Sequence, residues 1–248
     1  MNRPFGATVP ATRRNGVSRA RSGTDEFSVR EVLGDGTSVW LSHVPAFSAV
    51  ALIVYAPLLA VTFLPGILGF ASLAIFVAGE LVLAGLIEAA ATKAVSENER
   101  GLRAEFPELL SAAFRRAPAV LALRVGILIG AAGRGFMLLL PGVRYLCAAY
   151  VAVPALMNED ASTGQALRET RELTEGAFVR IFEICCATWT AALLVNLVAR
   201  FPLPSRMGDT TLAIVYLCAR ALERSWAATT TAMAYRQLCD RRDGMEPG

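Results

Sequence analysis

Long apolar stretches alternate with shorter polar segments along this chain, and the alternation predicts membrane-spanning helices. A helix needs about 20 mainly apolar residues to cross the hydrocarbon core of a bilayer. The first stretch contains no charged residue, and Pro57 within it is expected to kink the helix without ending it. Six spans are predicted, at residues 46–64, 67–95, 118–140, 143–157, 176–198 and 210–233.

Short Pro-containing sequences separate the apolar stretches in pairs. Leu64-Pro65-Gly66 returns as Leu140-Pro141-Gly142, and Phe201-Pro202-Leu203-Pro204 interrupts the third pair. Proline and glycine are the residues that most often punctuate helices, so each sequence is predicted to be the turn of a hairpin. The chain is therefore expected to be three hairpins in series.

A more polar segment with apolar residues at helical spacing precedes each hairpin. These segments, at residues 27–44, 96–116 and 162–175, are predicted to be amphipathic helices at the membrane surface. Asp160, Ser162 or Thr163 is expected to cap the third. We predict a single membrane domain over residues 27–240, with a disordered basic tail at 1–26 and a cytoplasmic tail at 241–248.

Composition and charge agree with a polytopic, all-α membrane protein. Hydrophobic residues make up 54% of the chain, charged residues 18%, and the mean hydropathy is +0.47. Seventeen of the 24 Lys and Arg lie before the first hairpin, between hairpins or after the last. Only Arg200, Arg206, Arg134 and Arg144 lie near the expected turns. Because basic flanks stay in the cytoplasm, both termini are predicted to be cytoplasmic.

Seven ionisable residues fall at or near membrane depth and are the candidate site. Each would cost about 2.5–3.5 kcal/mol at a lipid-exposed helix centre, so they are expected to face the bundle interior, to pair, or to reach the interface. Two interpretations stay open: salt bridges that hold the helices together, or a polar cavity for a lipid, a solute or a proton. The residues are Glu80, Glu88, Arg124, Glu183, Arg220, Glu223 and Arg224.

The residues needed for several known chemistries are missing from the sequence. His43 is the only histidine, so a histidine-based metalloprotease or serine protease site is excluded, and Lys93 is the only lysine, outside any phosphate-binding loop. The five cysteines lack CxxC spacing and are expected to be small apolar residues. We expect no cofactor, no metal and no catalytic residue.

Several short motifs resemble a known family. Leu138 to Arg144, then Val153-Pro154-Ala155 with Glu159, then Ala166 to Phe178 resemble bacterial membrane proteins of the glycerophosphoryl diester phosphodiesterase membrane-domain family and related uncharacterised multi-spanning proteins. The segments 27–33 and 234–238 are similar to the ends of such proteins. The resemblance implies an inner-membrane protein. It does not imply phosphodiesterase activity, because that activity depends on a separate soluble domain.

Three classes of function remain for such a chain. The first, which we favour, is a non-enzymatic membrane protein that organises or assists a partner. The second is a transport or permease-like subunit, or a lipid-binding protein, that uses the buried charges. The third is an enzyme acting on lipids, for which no acid, base and nucleophile are found together. Membrane lipids and other membrane proteins are the expected partners, and nucleic acid is not.

Overall fold

The computed structural model describes residues 27–62, 70–137, 139–158, 162–200 and 209–245, and this part of the chain is helical without strands. The predicted basic tail and the turns expected at Pro65-Gly66 and 201–204 lie outside the described residues. The helices are α1 (Val29–Thr62), α2 (Phe70–Glu99), α3 (Phe106–Arg115), α4 (Ala117–Met137), α5 (Leu139–Ala148), α6 (Ala152–Asn158), α7 (Thr163–Thr174), α8 (Phe178–Arg200) and α9 (Asp209–Met245).

The first helix is longer than the sequence pattern predicts. Residues 27–44 were expected to be a separate surface helix, but α1 continues from Val29 through Pro45 and Pro57 to Thr62. The prediction of a separate helix is wrong because Gly34 and Gly36 do not interrupt α1. A methyl group at Gly36 would lie 3.1 Å from the Thr230 Cα, so this glycine lets α9 approach α1 closely.

The second Leu-Pro-Gly sequence is not a turn. Pro141 and Gly142 lie inside α5, which begins at Leu139, two residues after the end of α4. Proline is tolerated in the first turn of a helix, where the backbone N–H has no intrahelical partner. The tripeptide therefore starts a helix here, and the prediction of a turn at 141–142 is wrong.

Two of the expected surface helices form with defined starts. In α3, Glu105 and Glu108 make a capping box, and Leu109, Ala112 and Ala113 are buried. In α7, Ser162 accepts a hydrogen bond from the Gln165 N–H at 3.4 Å, and the Gln165 side chain reaches back to the Ser162 N–H. Ser162 is thus the cap among the three residues considered from the sequence.

Contacts between distant residues show how the helices run. Trp40 Nε1 donates to Ser225 Oγ at 2.8 Å and Trp226 Nε1 donates to Thr37 Oγ1 at 2.9 Å, so α1 and α9 are antiparallel. Leu58 near the end of α1 contacts Gly79 in the first half of α2, and Ser42 in the first half of α1 contacts Arg103 just after α2, so α2 is antiparallel to α1 as well. Interhelical hydrogen bonds of this kind are favourable where no water competes for them.

Segments far apart in sequence meet at one end of the bundle, which we call the basic end. Arg180 donates to the Phe27 carbonyl at 2.7 Å, and Arg103 donates to the Ser42 carbonyl at 3.3 Å. Arg242 forms an ion pair with Glu169 at 3.1 Å. The start of α1 therefore lies beside the start of α8, the α2–α3 connection lies beside α1 at Ser42, and α7 lies beside the end of α9.

The short helix α6 lies in the interior of the bundle. Val151, Ala152, Val153, Ala155 and Leu156 are at most 1% exposed. The Leu156 carbonyl accepts a hydrogen bond from Arg116 at 2.7 Å, which ties α6 to the junction of α3 and α4. The predicted fourth span, residues 143–157, is instead two short helices that break near residue 150.

By length and composition, two or three helices could cross a membrane. Val29–Leu58 and Phe178–Val198 are long and apolar enough, and α3 with α4, which meet at 61°, could form one broken third span. The segment Pro141–Met157 is apolar but shorter. In α9, Arg220, Glu223 and Arg224 interrupt the apolar stretch, so this helix does not qualify on composition. Six spans are not established by these criteria.

Large apolar side chains remain exposed, above all on α8. Trp189, Leu193, Val198 and Val179 are each 64–66% exposed, and Ile129 of α4 is 68% exposed. Water-soluble proteins seldom leave so much contiguous apolar surface uncovered. This surface of α8 has the character of one that faces lipid.

Candidate functional site

Six of the seven candidate residues form ion pairs in the bundle interior, as a separate pair between α2 and α4 and a cluster of four between α2 and α9, which together we call the ion-pair network. At the centre of the cluster is Oε1 of Glu80 in α2, which accepts a hydrogen bond from Arg220 Nη2 of α9. Nε and Nη2 of Arg224 each lie 3.3 Å from the same oxygen. Arg220 and Arg224 are one helical turn apart, so both guanidinium groups reach one carboxylate on α2.

A second carboxylate of the network lies on α9 itself. Glu223 Oε2 accepts a hydrogen bond from Arg220 Nη1 at 2.9 Å and lies 3.6 Å from Arg224 Nε. The side chains of Arg220 and Glu223 are only 6% and 3% exposed. The spacing of three and four residues along α9 therefore places two arginines and one glutamate on the helix face that packs against α2.

The third carboxylate, that of Glu88, pairs with an arginine of a different helix, α4. Glu88 lies two turns after Glu80 in α2 and forms an ion pair with Arg124 of α4. A methyl group at Gly85 would lie 2.8 Å from Cγ of Arg124, so Gly85 leaves the space through which the arginine reaches Glu88. The network therefore connects α4, α2 and α9.

Charges in the network balance, but its hydrogen bonds are incomplete. Glu80, Glu88 and Glu223 carry three negative charges, and the three arginines carry three positive charges. Within the described residues, some buried polar atoms around the network have no hydrogen-bond partner: Glu88 Oε2, Arg124 Nε, Arg220 Nε, Glu223 Oε1 and the hydroxyl groups of Tyr55 and Tyr150. Sequence patterns gave no sign of the two tyrosines, because they lie within uniformly apolar stretches.

Glu183 is not part of the network. Its side chain is exposed on α8, and no ion pair joins it to another described residue. The buried face of α8 carries Ile181, Ile184 and Thr188, at intervals of three and four residues, and Glu183 lies outside that series. Of the explanations considered from the sequence, reaching the membrane interface is the one that stays open for this exposed side chain.

Other candidate groups form no metal or disulfide site. The buried His43 ring has Nδ1 within 2.7 Å of Ser42 Oγ and 3.0 Å of the Val39 carbonyl, which are neighbours on its own helix. All five cysteines are free. No group of three His, Cys, Asp or Glu side chains in the described ranges is arranged to hold a metal ion.

Two glutamates at the basic end have pKa values displaced in opposite directions. Glu97 accepts a hydrogen bond from Lys93, and this bond lowers the pKa of the Glu97 carboxyl. Partial burial raises the pKa of Glu99, against the opposing effect of Arg236, whose Nε lies 2.5 Å from Glu99 Oε1. Both residues follow the predicted second span, 67–95.

A groove that the sequence did not predict lies between α5, α7 and the start of α8. Its volume is about 570 Å³, and Arg144 of α5 lines it together with Arg168 and Arg171 of α7. Phe178 and Ile181 of α8 form part of its apolar wall. Arg144 was expected near the second turn, away from the surface helices, but α5 folds back and brings it beside α7. We call this the arginine groove.

Comparisons with known proteins do not assign the chain to a family. No protein-family model matches it, and no match was found among curated proteins or among solved structures. The resemblance in the short motifs therefore stays a prediction, and function has to be argued from the side chains of this chain.

Proposed function

We propose that this protein is a non-enzymatic integral membrane protein that organises or assists a partner at its basic end. The observation that carries the proposal is the charge balance of the ion-pair network. Three carboxylates and three guanidinium groups neutralise one another between α2, α4 and α9. Such a network fixes which helix faces meet, and it retains no net charge with which to bind a solute.

Placement in a membrane is supported by the exposed apolar surface of α8 and by the contacts at the basic end. If the first and third predicted hairpins cross and return, residues before and after each of them must lie on the same side. The pairs Phe27–Arg180, Ser42–Arg103 and Glu169–Arg242 fit that requirement. Since most basic residues flank this end, it is proposed to lie in the cytoplasm of a cell whose inner membrane holds the protein.

A role toward a partner is supported by apolar side chains at the basic end that the bundle does not cover. Leu102, in the α2–α3 connection, is 57% exposed and Phe114 of α3 is 47% exposed. Arg115 beside Phe114 is exposed as well. An apolar patch with a basic rim next to the membrane is suited to contact with another protein.

Topology is tested by labelling single cysteines with a membrane-impermeant maleimide. The five native cysteines are replaced by alanine, and N98C and T62C are prepared as separate variants. We expect N98C to react only in inverted vesicles and T62C only in right-side-out vesicles. Reaction of T62C from the cytoplasmic side would overturn the proposed arrangement of the first hairpin.

The assisting role is tested with a photoreactive amino acid in place of Phe114, and with the same group in place of Trp189 as the lipid-facing control. We expect a discrete protein adduct from position 114 in intact membranes and only lipid adducts from position 189. A proton flux through reconstituted vesicles that is abolished in the E80Q variant would instead favour transport. No protein adduct at position 114 would count against a partner at this patch.

A further inference from the structure

We propose that the arginine groove binds the headgroup of an anionic phospholipid from the cytoplasmic leaflet. The inference rests on the proposed function, because it requires α8 to be a membrane span with its start at the cytoplasmic surface. It adds a ligand class and a binding site that lies apart from the ion-pair network. None of the six network residues lines the groove.

Charge at the groove favours an anion. Arg144, Arg168 and Arg171 line it together with one carboxylate, Glu175, which gives a net charge of +2. No carboxylate of the described residues lies within ion-pair distance of these three arginines, whereas Arg100, Arg124, Arg220, Arg224, Arg236 and Arg242 are all paired with glutamate. Guanidinium groups bind phosphate oxygens through two parallel hydrogen bonds, which suits a phosphodiester.

The helix α7 directs its charges in a way that makes the groove basic. Leu167, Arg168, Arg171 and Thr174 line the groove, at helical spacing along one face. Glu169 lies on another face and pairs with Arg242 of α9. One of the two glutamates of α7 is thereby paired with α9, while both arginines of the same helix line the groove.

The apolar side of the groove continues onto the surface that would face lipid. Phe178 lines the groove and stacks with Phe182 one turn further along α8, with ring centroids 6.2 Å apart. Phe182 and Val179 are 42% and 65% exposed. If the arginines bind the headgroup of a phospholipid, its acyl chain would lie along this face of α8. A soluble phosphate compound has no acyl chain and would leave this face uncovered.

The position of the groove along α8 also fits a headgroup. The candidate span of α8 begins at Phe178, so the groove lies at the level where the apolar stretch starts. Phospholipid phosphates lie at that boundary. Basic residues at this depth on the cytoplasmic side attract anionic lipids.

The test is native mass spectrometry of the full chain in neutral detergent, titrated separately with phosphatidylglycerol and with phosphatidylcholine. We expect one phosphatidylglycerol to bind tightly and phosphatidylcholine to bind at least about tenfold more weakly. The reason is that each arginine near the headgroup adds roughly fivefold in affinity for an anion. Equal binding of the two lipids by the wild-type chain would overturn the inference, whatever the behaviour of the variants.

Variants then assign the binding to the groove. The triple variant R144Q/R168Q/R171Q is expected to lose at least about tenfold in affinity for phosphatidylglycerol. The matched control R30Q/R115Q/R241Q removes the same charge from other positions and is expected to keep the wild-type affinity. E175Q is expected to bind more tightly, since it removes the one carboxylate of the groove. An equal loss in the control, or no loss in the groove variant, would contradict the site.

Failure of this inference can be told apart from failure of the proposed function. Carbonate extraction of membranes reports whether the wild-type chain is integral, independently of lipid affinity. A chain that is released by carbonate refutes the proposed membrane placement and with it the groove proposal. A chain that is retained but does not prefer the anionic lipid refutes the groove proposal alone.

Discussion

Glu88 and Arg124 form an ion pair between α2 and α4, and each is the other's only ion-pair partner among the described residues. Removing one member leaves a buried charge uncompensated, which costs about 3–5 kcal/mol. We therefore expect E88Q and R124Q each to lower the thermal unfolding midpoint in detergent strongly. The double variant E88Q/R124Q is expected to recover most of the loss, because it leaves no lone charge. Losses that simply add would show that the pair is not coupled.

Gly85 supplies a second test of the same contact. In G85A the new methyl group would lie 2.8 Å from Arg124 Cγ and 2.9 Å from Val120 Cγ1. Overpacking of this kind costs about 1–3 kcal/mol, so we expect a lower unfolding midpoint. A methyl group added at Gly126 of α4 would have nothing within 4 Å. The matched control G126A is therefore expected to be neutral or slightly stabilising. Equal midpoints for the two variants would refute the close approach of α4 to α2.

The contact between α1 and α9 can be examined with two glycines of one helix. A methyl group at Gly36 would lie 3.1 Å from the Thr230 Cα, a backbone atom that cannot rotate away. We expect G36A to separate the helices, to weaken the Trp40–Ser225 hydrogen bond and to lower the unfolding midpoint. Gly34, two residues earlier, has nothing within 4 Å, so G34A should leave the midpoint unchanged. In a W189F background, tryptophan fluorescence would report the change around Trp40 and Trp226, both of which lie at this contact.

Exposure separates two glutamates that look alike in the sequence. Glu223 is buried and hydrogen-bonded to Arg220, whereas Glu183 is exposed on α8. E223Q is expected to destabilise the protein, because two arginines then share the single carboxylate of Glu80. E183Q should change the unfolding midpoint by little. A destabilised E183Q would mean that Glu183 has a partner in the bundle after all.

Glu97 and Glu99 should give opposite pH dependences. The pKa of Glu97 is lowered in the folded state, so its carboxylate stabilises the fold at neutral pH, and this contribution is lost as pH falls below the unfolded value of about 4.3. The pKa of Glu99 is raised, so stability falls as pH rises from about 4.3 through the folded value. At pH 7 we expect E97Q to lower the unfolding midpoint and E99Q to raise it. The difference for E99Q should vanish below about pH 4, whereas the difference for E97Q should vanish only once pH falls below the lowered folded pKa of Glu97.

Sequence patterns predicted which charged residues lie within the predicted spans, but not which side of the helix each one occupies. Glu80, Glu88, Arg124, Arg220, Glu223 and Arg224 meet as expected, because a charge within an apolar stretch has few favourable places other than beside an opposite charge. Glu183, for which reaching the interface was the other explanation, lies outside the ion-pair network. The helix α8 is apolar on all sides, so no polar face in its sequence marks which side is buried.

Helix ends were harder to predict than helix interiors. Proline and glycine predict a turn at 141–142, but the same residues are tolerated at the start of a helix, and α5 begins there. Likewise Gly34 and Gly36 indicate a weak helix in isolation, yet packing against α9 favours a continuous α1. The arginine groove was missed because its three arginines come from two helices, and the predicted spans place Arg144 near the second turn, away from the predicted surface helix 162–175.

The Glu80–Arg220 ion pair joins residues that are 140 positions apart in the chain. At a synthesis rate of about 5–20 residues per second, the ribosome needs roughly 7–28 s to add the arginine after the glutamate. During that interval α2 has been synthesised, but Glu80 cannot yet form its ion pair because Arg220 does not exist. Assembly of the bundle in the membrane is therefore completed only by its last helix, and a chain truncated before α9 should be recognised by the cell as unfinished and degraded.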